Sequence, residues 1–143
     1  MGGIASSTDV IVSAGSLVLA DTAGVYETNG VAYLNPIVPA VLDEWEVVRL
    51  AADIPVGSNY VVQFFTGDAA TVYTLIPDSE LPGNSIGFTD TLIDISDLDP
   101  VSYPSMTVGI AMDTSDTSVT ADISEIEAFW RESSVDRTGL ALD

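Results

Sequence analysis

The sequence predicts an all-β fold, an antiparallel β-sandwich of jelly-roll or Ig-like form with about 8–10 strands. Three observations predict it. Short runs of alternating apolar and polar residues recur along the chain, and Gly, Pro, Asp and Ser clusters separate them. No stretch holds a helical apolar period over about twelve residues, since Val119 to Arg131, the nearest approach, is β-branched and alternating. The 143 residues are 47% hydrophobic, enough for one domain with a real core and no need of a covalent staple.

The elements follow in order. Residues 1–30 are small and Ser/Gly/Ala-rich, with two β-patterned runs around Val10 and Val12 and around Leu17 and Leu19, joined by the turn signal Ala14-Gly15-Ser16. They form either a hairpin at a sheet edge or an assembly arm in which Val10, Val12, Leu17 and Leu19 pair with a neighbouring subunit. Residues 31–131 carry the regular signals and constitute the sandwich. Val31 to Leu34 is short and ends at Pro36 and Pro39. Trp45 to Ala52 sets Trp45 and Val47 against Glu44 and Glu46. Pro55 to Ser58 turns, and Asn59 to Thr66, apolar on both faces, reads as a central strand. Thr71 to Ile76 returns, and 77–90 is a long loop. Leu92 to Ile95 is a short strand, and 96–104 is a tight turn. Met106, Val108, Ile110 and Met112 then alternate with smaller and polar residues as a half-buried strand. The last strand, Thr120 to Trp130, puts Ile126, Ala128 and Trp130 opposite Glu125 and Glu127. Residues 132–143 read as a C-terminal tail.

Charge narrows the function. The chain has 22 Asp and Glu against three Arg (Arg49, Arg131, Arg137), with no Lys or His, for a net charge of −19. Such a chain repels a phosphate backbone and an anionic bilayer, so neither nucleic acid nor membrane is expected as a partner. No run approaches the ~20 apolar residues of a membrane span. Abundant Asp without Lys suits a salt-rich habitat or an acidic secreted protein. The absence of Cys and His rules out disulfides, thiolate nucleophiles, His-based triads and Cys- or His-ligated metals. Met1 to Asp9 lacks the basic start and apolar run of an export signal. Either a signal has been removed and Met1-Gly2-Gly3 added, or the chain does not use that route, as in a virion or tail protein.

Three chemistries remain to be weighed. Asp94, Asp97 and Asp99 in one turn region, with Asp113 and Asp116 in another, would offer oxygens to calcium if both loops lay at one end of the sandwich. Asx-turns explain the same residues without a metal. Glu44, Glu46, Glu125 and Glu127 are the carboxylates available for glycoside hydrolysis, but solvated strand faces account for them, and no enzymatic activity is expected. Tyr60, Phe65, Tyr73 and Phe129 on a shared face would make a platform for sugar rings; in a sandwich most aromatics are core, and Trp45 and Trp130 read as core anchors. Arg131 and Arg137, beside Glu132 and Asp136, are either local ion pairs or points where an acidic neighbour docks.

Residues 32–130 resemble a module of large bacterial and archaeal surface proteins. The resemblance rests on Ala32-Tyr33-Leu34 with Pro36 and Pro39, Glu44-Trp45, Ala52-Asp53-Ile54-Pro55-Val56-Gly57-Ser58 and Val62-Gln63. It continues through Leu75-Ile76-Pro77-Asp78, Leu81-Pro82-Gly83-Asn84-Ser85, Ile93-Asp94-Ile95-Ser96 and Leu98, Tyr103-Pro104-Ser105, and Thr114 to Thr120 before the strand ending at Trp130. Such modules are similar to the β-sandwich repeats of adhesins, filaments and envelope proteins. The resemblance implies an extracellular or cell-surface, structural or adhesive role with no catalytic residues, and partners that are further copies or neighbouring surface-protein subunits. A carbohydrate- or calcium-binding module is the alternative. The chain departs from the pattern where Met106 to Met112 replaces a more basic strand, and in standing as a short chain with its own 30-residue arm, which points to self-assembly.

Overall fold

A computed structural model describes residues 4–67, 69–132 and 135–138. The first strands are β1 (Ile4–Thr8), β2 (Val10–Ser13), β3 (Ser16–Leu19), β4 (Asp21–Thr22), β5 (Val25–Tyr26) and β6 (Asn29–Leu34). They are followed by β7 (Glu44–Asp53), β8 (Ser58–Thr66), β9 (Thr74–Leu75), β10 (Leu92–Asp94), β11 (Thr107–Thr114), β12 (Asp122–Glu132) and β13 (Val135–Thr138). Sheet A has the order β1-β6-β11-β8-β9; sheet B has β10-β7-β12-β3-β2, with β13 also on β12. The pairings are antiparallel, and the two sheets enclose one core, so the β-sandwich read from the sequence is the fold.

Period-2 alternation builds the core. Ala32 and Leu34 (β6), Tyr60, Val62 and Phe64 (β8) and Val108, Ile110 and Met112 (β11) point inward from sheet A. Trp45, Val48 and Leu50 (β7) and Ile123, Ile126, Ala128 and Trp130 (β12) meet them from sheet B. Trp45 packs edge-on to Trp130, with centroids 6.2 Å apart, and its Nε1–H donates to the Tyr103 carbonyl at 2.8 Å. Both tryptophans are core anchors. Two bulges alter the expected phase. The β7–β12 register slips between Ala128 and Trp130, so β7 spends an extra residue and Val47 does not share the face of Trp45; a second slip at Ile123/Glu125 accommodates Ser124.

The N-terminal segment is built into this core. β2 and β3 form a hairpin whose two-residue turn, Ala14-Gly15, has positive φ at both positions (51° and 84°). Val10, Leu17 and Leu19 are buried, Val12 packs against the same cluster, and Leu17 sits opposite Ile123. These four side chains therefore pack at home rather than projecting toward a neighbour, because their alternation matches the inner face of sheet B. β1, Ser-rich and without apolar alternation, pairs with β6 in sheet A, and the chain changes sheets at Asp9 (φ 57°). In the expected C-terminal tail, residues 135–138 pair with Phe129 to Glu132.

The other flank is closed by the loop 77–88. Asn84 is fully buried and its side chain takes the place of a strand. Its Oδ1 accepts from Phe64 N–H at 2.9 Å, and its Nδ2 donates to the carbonyls of Phe64 (2.9 Å) and Ile76 (2.8 Å). Phe88 continues the cover by exchanging backbone hydrogen bonds with Val62. Asp78 holds the loop in place, accepting from the Ser85 N–H and hydroxyl at 2.7 Å each.

Candidate functional site

Strand order decides where the acidic loops lie. β11 ends beside the turn between β7 and β8, where Ser115 N–H donates to the Gly57 carbonyl at 2.8 Å. β10 instead leads toward the start of β7, where Ile95 N–H donates to Glu46 and Tyr103 caps Trp45. The Asp94–Asp99 and Asp113–Asp116 loops are thus at opposite ends of the sandwich, and the joint calcium site expected from the sequence is not assembled. Their carboxylates close local turns. Asp94 accepts from Ser96 N–H, Asp99 from Val101 N–H and the Ser102 hydroxyl, and Asp116 from Ser118 N–H and hydroxyl. Asp113 accepts from the Asn59 amide at 3.4 Å, and Asp97 is exposed. Among the described residues no group of three or more carboxylates converges as a metal site.

These turns carry a pH signature. Hydrogen bonds from the Ser side chain, then from its backbone N–H, hold the carboxyls of Asp78, Asp94 and Asp116 below the usual carboxylate range. A carboxyl depressed in the folded state contributes stability above its unfolded pKa and loses it as pH falls through the folded value. The expected result is an acid limb in the melting temperature below about pH 4, the unfolded carboxylate range. Asp78→Asn should lower stability at neutral pH and flatten that limb. An unchanged limb in Asp78→Asn would show that the loop lock plays no part in it.

The outer face of sheet B carries the charge. Arg49 bonds Glu127 and Glu125 and lies 5.6 Å over the Phe129 ring; Arg131 bridges to Glu44 at 3.3 Å and Glu46 at 3.6 Å. The hydrogen bond from Arg49 holds Glu127 below the ordinary range. The four glutamates considered for hydrolysis are therefore neighbours of two arginines, and Arg131 reaches Glu44 and Glu46 on β7. The side chain of Arg137 lies outside the described residues.

Sheet A is different. Its outward positions are Asn29, Val31 and Tyr33 on β6; Asn59, Val61, Gln63 and Phe65 on β8; and Thr107, Gly109, Ala111 and Asp113 on β11. Ser6 and Thr8 of β1 lie opposite Tyr33 and Val31. Asp113 is the one carboxylate in this set. Tyr33 stacks on Tyr73 at 4.0 Å, Phe65 meets Tyr33 edge-on at 5.3 Å, and Tyr73 shares a hydrogen bond with Ser6 at 3.3 Å. Gly109 lies beneath these rings: a Cβ there would come 2.6 Å from Phe65 and 3.2 Å from Tyr33. The aromatic set expected from the sequence is divided. Phe65 and Tyr73 belong to this cluster, Tyr60 points into the core, and Phe129 is on sheet B. Tyr33 was the member that sequence reading missed, and its alternation with buried Ala32 and Leu34 was the signal for it.

The chain matches no known family, no curated protein and no solved structure. Within Ile4–Leu19 the single charged residue is Asp9, although the chain has 22 acidic residues. The neutral edge β1–β2 thus adjoins the nearly neutral outer face of sheet A. A separate open cleft of about 400 Å³ includes Ser13, Tyr26, Ser118 and Thr120, with Asp53 and Asp122 opposite each other on β7 and β12.

Proposed function

We propose that this chain is a non-enzymatic structural module of an extracellular surface or filament assembly, joined to neighbouring subunits through its sparsely charged β1–β2 edge and the outer face of sheet A. The observation that carries the reading is the segregation of charge. At −19, two such chains repel wherever carboxylates meet, and they approach closely only where carboxylates are missing. The β1–β2 edge and the outer face of sheet A supply such a region, while the acidic remainder stays solvated. The resemblance of residues 32–130 to surface-protein modules supports the same setting. A carbohydrate-binding module is the second reading, favoured by the cleft in which Asp53 and Asp122 would accept sugar hydroxyls beside Tyr26.

The test is solution mass from low to molar salt. Assembly should grow with salt as repulsion is screened, and placing carboxylates on the neutral face (Val31→Glu with Ala111→Glu) should weaken it. A chain that stays monomeric at every salt and concentration would overturn the reading. Saturable sugar binding abolished by Asp122→Asn would then favour the cleft.

A further inference from the structure

Strand β10 ends sheet B on the side away from β2, and among the described residues nothing pairs with its outer side. Its hydrogen bonds fix which backbone groups are already used. Leu50 N–H donates to the Thr91 carbonyl at 2.8 Å and Ile95 N–H to the Glu46 carbonyl at 3.0 Å, with Ile93 opposite Val48 between them. Antiparallel pairing alternates, so Thr91, Ile93 and Ile95 face β7, and the N–H and C=O groups of Leu92 and Asp94 face outward. Both residues are exposed, Leu92 at 60%, so the edge is reachable at each of them.

A bulge shapes the surface beside this edge. Glu46 and Val47 of β7 together oppose Phe129 of β12. Both line an open cleft of about 410 Å³ with Glu44, Leu92, Asp94 and Ser96. Val47 and Leu92 are its apolar part, and Glu44, Glu46 and Asp94 are its charges. Arg131 bridges Glu44 and Glu46 from the β12 side, while Arg49, opposite Leu92, is held by Glu125 and Glu127. The exposed Asp90 and Asp97 flank the strand. The surroundings of the edge are therefore acidic even with Arg131 in place.

We infer that β10 is a docking edge for an extended basic segment of another protein, which adds to sheet B as an antiparallel strand. Leu92 and Asp94 exchange backbone hydrogen bonds with it. A Lys or Arg opposite Asp94 lies within one strand spacing, ~4.8 Å, of that residue, and its stem rests on the apolar part of the cleft. Charge selects the occupant. A short edge carrying a charged side chain is a usual guard against strand addition by further copies, and a second copy of this chain, at −19 and without Lys, brings its own carboxylates. For a cationic strand the same carboxylates attract. One feature thus excludes self-addition and admits a basic partner. This contact is separate from the contacts between copies proposed above.

The test is titration of the full chain, followed by amide NMR, with acetylated and amidated Thr-Lys-Val-Val-Lys, whose first Lys falls opposite Asp94. One control peptide is methylated on the backbone nitrogens of its second and fourth residues; another has Glu in place of Lys. The unmodified peptide should bind saturably, shift the amides of residues 91–95 most, and bind more weakly as salt rises. Backbone methylation keeps the charge and should weaken binding about tenfold, and the Glu peptide should not bind. Leu92→Pro removes an outward N–H and no bond to β7, and should weaken binding to a similar degree. If Leu92→Pro does not fold, the methylated peptide on the parent chain decides. Equal binding of the methylated and unmethylated peptides, or shifts spread over all the acidic loops, would mean counter-ion attraction alone and overturn the docking edge. Undiminished binding to a folded Leu92→Pro chain, or no binding at low salt, would overturn it as well.

Discussion

Asn84→Ala should be among the most damaging single substitutions in this protein, costing about 3–5 kcal/mol although the residue lies in a loop. The reason is the flank it closes. Phe64 N–H and Ile76 C=O depend on the Asn84 amide, and Phe64 C=O accepts from it as well as from Ile76 N–H; the three bonds to Asn84, at 2.8–2.9 Å, are all buried. Alanine removes the partner without admitting a replacement, and each stranded buried group costs about 1–3 kcal/mol. In a domain of this size, with a melting point that moves about 2–4 °C per kcal/mol, the expected fall is about 10 °C. Asn84→Asp should be worse: it keeps the acceptor but loses both donors and sets an anion against two carbonyl oxygens. Ile86→Ala, at an 84% exposed position in the same loop, is the control and should change little. Thermal unfolding of the three variants checks the claim. An Asn84→Ala protein within a degree or two of the parent would show that the amide is replaceable.

Gly30→Ala should loosen the N-terminal strands while leaving the rest of the sandwich intact. Gly30 lies where the chain passes between sheets at Asp9, and a Cβ there would sit 2.7 Å from the carbonyl oxygens of both Thr8 and Asp9. These are backbone atoms and cannot rotate aside, so the crossover must move. Across the strand Gly30 is fixed in register with Met112 of β11, so it cannot retreat. Overpacking of this kind costs about 1–3 kcal/mol. The loss should concentrate on β1 and β2, because both are anchored through the crossover. Hydrogen exchange resolved by residue checks it: protection should fall over residues 4–13 and persist in β8, β11 and β12. Equal loss everywhere would mean that the crossover is part of one cooperative unit.

The sequence was most readable where alternation was unbroken. β11 runs Val108, Ile110, Met112 without interruption, and its facing was clear from those residues. β7 and β12 were harder, because each spends one extra residue in a bulge and a strict period of two then assigns Val47 to the wrong face. β1 was hidden by composition: Ile4-Ala5-Ser6-Ser7-Thr8 holds its place by backbone pairing and not by an apolar stripe. The interaction surface was less legible still. Asn84 reads locally as a turn residue, and its value comes from Phe64 and Ile76, 20 and 8 positions away. The acidic loops read as potential partners, but whether two loops meet depends on strand order, which local patterns do not encode.

The two outer faces give the sandwich a front and a back. The half-buried rings of Tyr33, Phe65 and Tyr73 stand on the outside of sheet A, and the arginine–glutamate pairs stand on the outside of sheet B. A neighbour that meets the first face displaces water from rings, and one that meets the second displaces it from charges, so the molecule presents two different chemistries on opposite sides.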